Sequence, residues 1–348
     1  HDRQPFPWVW QTRLFIWLLL WFTFTTFWNP DFPYAAEFQL KKVIKVYVGI
    51  FPAFWLINTR EKFQWLVLTI ALSFGLIGFK GGIFALGTGF NYRVYGPLRS
   101  FYSGNNEIAM ALNMTLPLIF LCARQAAKPV IKNFFYAVGF FSICSIISSW
   151  SRGGLLTLMA VIGALILTSR RKWLAIPLLV IGVYFFIPRL PADWFGRMET
   201  IDTYEQDPSA MGRIEAWNYA IDRANQDPLS GGGFEMFRAI AHDAHSAYFE
   251  ILGEHGYVAL VLWLALMFGT VLSLEGLRRR TKKWEEMAWV AEYARAFQIA
   301  ILGYAVGGAF LGTAYWEYFY QLIGLAVLLK VFVHRAAHAG AVQPSGAR

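Results

Sequence analysis

The stretch 241–263, "AHDAHSAYFEILGEHGYVALVLW", sets three of the chain's six histidines and three acids against the start of an apolar run. Histidine has an ordinary pKa close to neutrality, so a fixed imidazole can accept the proton of an attacking hydroxyl. His245 stands where the run begins. A helix starting near Ser246 would present its positive end there, which favours the neutral, proton-accepting ring. Glu254, Asp243 and His242 are the candidates to orient that ring. Spacing alone leaves two plainer readings open. One is an interfacial histidine with no task; the other is a metal pair in "HDAH", a weak signal with no cysteine beside it.

Arginines supply the second kind of chemistry. Arg152 lies between two apolar runs in "SSWSRGGLL". An arginine at the centre of a membrane helix costs roughly 2.5–3.5 kcal/mol on insertion scales, so it either snorkels or faces a polar cavity. Ser148, Ser149 and Ser151 favour the cavity. Arg213 opens "SAMGRIEAWNYAIDRANQDP", which reads as one helix with Ser209 as its N-cap and Asp227-Pro228 closing it. Ile214, Trp217, Ile221 and Ala224 form its apolar stripe. A third group sits in the glycine-rich segment 80–105, where Lys80, Arg93 and Arg99 point to an anion. Tyr92, Tyr95, Phe101 and Tyr102 suit either stacking on sugar rings or an interfacial aromatic belt. Asn105 and Asn106 complete the substrate-binding candidates. Arginine's planar fork matches phosphate oxygens two at a time, so a lipid diphosphate would suit a mouth gathering these residues and a histidine.

The elements that must position these groups are membrane helices. The chain has 348 residues, is 57% hydrophobic and only 15% charged, and long uncharged runs recur along it. It reads as an all-α polytopic membrane protein with spans near 14–28, 40–57, 63–79, 106–123, 133–150, 153–169, 173–188, 247–274, 296–312 and 315–333. The first span reads as such and not as a signal peptide, because no small-residue cleavage site follows it. Gly153 and Gly154 are expected to permit the tight turn at "SRGG". The basic loops "NTREK", "ARQAAKPVIK", "RRK" and "RRRTKK" fall on one side, which the positive-inside rule makes cytoplasmic. Three parts follow: helices one to seven over 1–188, with an outer re-entrant or lining loop at about 80–105; a loop at 189–246 with a helix at about 210–226; and helices eight to ten plus a cytoplasmic tail over 247–348. The net charge of +9 is spread through short loops, which fits lipid headgroups and topology and excludes nucleic acid as a partner. Cys122 and Cys144 lie in apolar runs as packing residues.

From about Gly78 to Tyr320 the chain resembles the O-antigen ligase and Wzy-type polymerase superfamily of bacterial membrane glycosyltransferases, most closely the members that accompany exosortase systems. The fragments "KGGIFALGTG", "GPLRSFYSGNNEIAMALNMTLPL", "SRGGLL", "SAMGRIEAW", "PLSGGGF" and "HSAYFEILGEHGYVAL" follow in the family's order. The ligase motif, a histidine followed by Asn, Ser or Gln and by a glycine after nine further residues, is met by His245, Ser246 and Gly256. The resemblance makes Arg152 the membrane-edge arginine and Arg213 the loop arginine. It implies a GT-C-like frame with twelve spans, ten here and a pair ahead of His1. It also implies transfer of a finished glycan from undecaprenyl diphosphate to a sugar hydroxyl of lipid A-core, with inversion. The site would face the periplasm from the inner membrane and need no metal or other cofactor. The partners are then the lipid-linked donor, lipid A-core and the bilayer.

Two further classes compete. A Wzy-type polymerase or a protein O-oligosaccharyltransferase would share the donor and differ in the acceptor. A membrane transporter would place charged or broken helices near the midplane of two related halves; here the reactive groups collect at one face and no repeat is visible.

Overall fold

The computed structural model describes residues 5–28, 30–169, 172–199, 208–282 and 284–338. Residues 200–207 of the expected long loop, and Arg170, Arg171 and Lys283 of the basic loops, lie outside the described residues. Among the described residues the protein is helical and has no strand. In chain order the helices are α1 (Trp10–Trp28), α2 (Pro33–Leu56), α3 (Arg60–Gly87), α4 (Asn105–Gln125), α5 (Pro129–Ile147), α6 (Arg152–Thr168), α7 (Lys172–Phe186), α8 (Ala192–Glu199), α9 (Pro208–Gln226), α10 (Ala247–Thr281), α11 (Ala288–Gly307) and α12 (Glu317–His338). The ten expected spans fall on α1–α7 and α10–α12. By length and composition α3, α4, α5, α10 and α12 are able to cross a bilayer. This is an all-α polytopic membrane protein.

Several boundaries differ from the expectation. α3 continues through Lys80 to Gly87, so the non-helical segment is confined to 88–104. α11 stops at Gly307, leaving 308–316 as a loop. α9 starts at Pro208, which places Ser209 inside the first turn and not at the cap.

The helices form two compact units: residues 1–63, 208–298 and 308–348, and residues 64–207 and 299–307. In the first, α1 packs on α2 and α10, α2 on α12, and α10 on α9 and α12. Phe15, Tyr47 and Tyr320 meet ring to ring in its core. α9 approaches α10 closely because both surfaces are small: Ala216, Ala220 and Ala224 are fully buried, and a Cβ on Gly253 would come 3.1 Å from that of Ala220. The innermost stripe is thus alanine, with Ile214, Trp217 and Ile221 only half-buried at its flanks.

α10 is broken at Gly256, whose φ of 74° lies in the left-handed region. Such a break removes carbonyls from the helical ladder, and buried carbonyls need donors. The "SGGG" loop after α9 supplies them: Gly232 N–H donates to Gly253 O and Gly233 N–H to Glu254 O, each at 2.9 Å. A side chain on Gly231 would strike the Gly253 carbonyl. The glycine run therefore ends α9 and also lets the loop lie flat on the broken helix.

In the second unit α4 packs on α5 and α6, and α6 on α7. Ile108, Leu112 and Leu116 of α4 meet Ile146, Leu158 and Val161 in its core. The buried Asn113 amide donates to Ala109 O and Gly154 O, tying α4 to the start of α6.

Candidate active site

The sequence-derived residues divide between the units. Arg213, His242, Asp243, His245 and Glu254 lie in the first; Lys80, Arg93, Arg99, Tyr102, Asn105, Asn106 and Arg152 lie in the second.

His245 sits one residue ahead of Ser246, the N-cap of α10, with φ of 45°. A non-glycine residue held in that region costs of the order of 1–3 kcal/mol and persists only where its surroundings fix it. Those surroundings are visible on two sides. The Trp217 indole of α9 donates to Ala244 O at 2.9 Å, and its ring stacks on Phe249 at 4.9 Å. From the other side Gly308 O accepts from Ala247 N–H at 2.7 Å. Arg213 lies one turn before Trp217 and so shares its face of α9. A Cβ on neighbouring Gly212 would stand 3.5 Å from the His242 ring. The fold thus brings the Arg213 turn of α9 onto the segment His242–His245. His242 and Asp243 are exposed there, and His245 is half-buried.

Behind this turn two acids project from the first turns of α10. Glu254, 5% exposed, accepts from Glu235 N–H at 2.7 Å and from the Tyr315 hydroxyl at 2.6 Å. Glu250 accepts from Ala314 N–H at 2.9 Å. The two carboxylates therefore clamp the glycine-rich loop and the 308–316 loop against α10. Burial, and then the Glu254 charge, push the Tyr315 phenol well above its ordinary pKa, so it stays a donor. The bonds that Glu254 makes are to Glu235 and Tyr315, which gives this orienting candidate a bracing role. Glu250 and Tyr315 escaped sequence reasoning. Two acids four apart at the head of an apolar run were a signal for the first; nothing marked Tyr315.

The third histidine of the opening stretch is a packing residue. His255 is fully buried, with Nδ1 2.6 Å from the Thr25 hydroxyl and its ring 4.4 Å from those of Phe22 and Phe234.

In the second unit the serine turn before Arg152 is built from side-chain bonds and not from glycine freedom. Trp150 takes φ of 57° and donates its indole N–H to Phe90 O. Ser148 donates to Tyr92 O, and Asn105 to Ser149 O at 2.9 Å. Ser151 caps α6 by accepting from Gly154 N–H, with Arg152 as the first helical residue. Gly153 and Gly154 are helical, which corrects the expectation that they make the turn. Gly154 is needed for contact with α4, since a Cβ there would lie 2.8 Å from that of Ala109.

Arg93 reaches this turn, its guanidinium 5.3 Å from the Trp150 ring centre. From α8, Trp194 donates to Ile147 O and Arg197 Nε to Trp150 O at 3.1 Å. Arg93, Arg152 and Arg197 thus share one turn, and Arg197 carried no sequence signal. The remaining candidates lie apart from it or serve packing. Lys80 is exposed on α3, Arg99 is exposed with φ of 62°, and Tyr102 packs edge-on against Phe74. Asn106 is half-buried in the first turn of α4.

Each unit therefore offers cationic groups on a braced turn, one of them beside an imidazole. Such groups can hold an anionic leaving group and accept a proton. Comparison with known proteins adds two findings. Residues 137–264 match a family model described as O-antigen ligase, and residues 2–127 match one described only as a family of unknown function. No curated protein matches the chain.

Proposed function

We propose, from the match of residues 137–264 to a family model described as O-antigen ligase, that the chain transfers a glycan from undecaprenyl diphosphate to a sugar hydroxyl of lipid A-core. The reaction inverts the anomeric centre, needs no metal, and takes place on the periplasmic side of the inner membrane. His245 accepts the proton of the attacking hydroxyl. Arg213 stabilises negative charge on the departing diphosphate. Arg152, at the position of the superfamily's membrane-edge arginine by resemblance, is proposed as a ligand for lipid phosphate oxygens. Diphosphate is already a good leaving group, so the chemistry asks for charge stabilisation and a base and not for a strong acid.

What supports this reading most is the His245 turn, held in left-handed backbone by α9 on one side and the 308–316 loop on the other, with the Arg213 turn folded onto the same segment. A positioned base contributes about 10²–10⁴ in rate; one well-placed electrostatic partner contributes about 10²–10³. Neither is dispensable. The test is a reconstituted assay with a labelled lipid-linked glycan and three acceptors: lipid A-core, free glycan and an unfolded protein. Product on lipid A-core alone, insensitive to EDTA, is expected. Product on another acceptor, or rescue of an EDTA-treated enzyme by Mg²⁺, would overturn the acceptor or the metal claim respectively.

A further inference from the structure

The mechanism above leaves one face of α9 unused. Glu215, Asn218, Asp222 and Gln226 recur at three- and four-residue steps, so they form one polar stripe, and all four are exposed. A solvated helix face would need nothing more. This one is walled. A cavity of about 710 Å³ runs from Gly212 past Glu215 and Asn218 to Tyr219 and Asp222, with Ile240 and His242 on its other side. A second, of about 380 Å³, begins at the same Tyr219 and Asp222 and continues to Gln226 and Ala239. The two adjoin at Tyr219 and Asp222 and make one groove along α9, about 21 Å long over the 14 steps from Gly212 to Gln226 at 1.5 Å per residue. The first cavity alone is within the roughly 300–1,000 Å³ of small-molecule sites.

We propose that this groove binds the glycan of the lipid-linked donor, with the sugar nearest the diphosphate at the Gly212 end and later sugars toward Gln226. The inference rests on the glycosyl-transfer reading and adds a saccharide subsite to it. Three observations carry it. First, the polar part of the larger cavity's lining is mainly acidic and amidic, Glu215, Asp222 and Asn218 with His242 at one end, and holds no lysine or arginine. Carboxylates repel a diphosphate but accept hydrogen bonds from vicinal hydroxyls, and an amide both donates and accepts. Second, Tyr219 stands between the cavities and Ile240 opposite the stripe, giving apolar surface for the C–H faces of sugar rings. Third, the order along the helix follows the order along the donor. The Gly212 end of the groove is bounded by His242, three residues before the proposed base His245, and the acids and amides come after it along the helix. The smaller cavity's arginine, Arg223, is neutralised by Asp31 and Asp227, so it adds no anion site.

The probe is a set of oligosaccharides of one to four repeat units, released by mild acid from the host's own surface polysaccharide and so free of diphosphate. They are titrated against the purified full chain in nanodiscs, by saturation-transfer NMR and calorimetry. Affinity is expected to rise with length in the wild type and to fall at least tenfold in Asp222→Ala. Asp222→Asn should recover part of the loss, since an amide still bonds hydroxyls. Inorganic pyrophosphate should not displace the sugar. Asn218→Ala, on the same stripe, serves if Asp222→Ala fails to fold. No binding to the wild type, no length dependence, equal affinity in the variants or displacement by pyrophosphate would each overturn the groove. Glycan transfer by the wild type is measured beside it. Transfer with no oligosaccharide binding removes the groove and keeps the reaction; binding through Asp222 with no transfer keeps the groove and removes the reaction.

Discussion

A buried carboxylate beside a strained turn defines the residue scale. Glu254 is held by one backbone donor and the Tyr315 hydroxyl, so Tyr315→Phe takes away half of its support. Leaving a buried acceptor short of a partner costs about 1–3 kcal/mol. A thermal melt in detergent is expected to fall for Tyr315→Phe while the His245 substitution leaves it near wild type; an unchanged melt would remove the clamp from the account. At Arg152, lysine keeps the charge and loses the two-pronged geometry. Arg152→Lys is therefore expected to lose most transfer activity, and activity near wild type would make the residue a generic cation. The individual groups were unevenly legible. His245, Arg152 and Arg213 stood out because charge and imidazole are rare in such a chain. Arg197 and Tyr315 did not, because only tertiary docking gives them a neighbour. His255 received no role from the sequence, and its packing between Phe22 and Phe234 cannot be read from spacing.

At the scale of elements, one break and one tie place the site. Gly256 lets α10 turn and hand its carbonyls to the glycine-rich loop; a Cβ there would lie 2.6 Å from Pro228 O in a backbone region closed to most residues. Gly256→Ala is expected to lower the melting temperature and activity together, by about 1 kcal/mol or more in stability. A neutral effect would show that the kink relaxes freely. Trp217 is the other connection, tying α9 to the His245 segment through one indole bond and one stacked ring. Trp217→Phe keeps the ring and drops the bond, so the account expects slower transfer with little change in the melt. Helix existence was plain in the apolar runs, but ends were not. α3 runs on into the segment expected as a glycine-rich loop, and its Gly81 and Gly82 sit where α5 passes: a Cβ on Gly82 would strike the Phe141 carbonyl. Glycine's two uses, turning and close approach, look alike in one sequence.

For the molecule as a whole, the membrane frame was legible from composition alone, whereas sidedness rests on loop charge. With Cys122 and Cys144 replaced by serine, Leu229→Cys, exposed just after α9, should react with a membrane-impermeant maleimide added from the periplasmic side. Glu285→Cys, between α10 and α11, should react only after lysis. The reverse pattern would invert the topology and end the periplasmic assignment. The central claim is that an imidazole on a braced, left-handed turn accepts the proton of a sugar hydroxyl attacking a lipid diphosphate. Its most direct measurement is single-turnover transfer by reconstituted His245→Ala and wild type, at matched melting temperature and matched donor binding. The account predicts a fall of about 10²–10⁴ in the transfer rate with donor affinity little changed; a rate within a few-fold of wild type would contradict it.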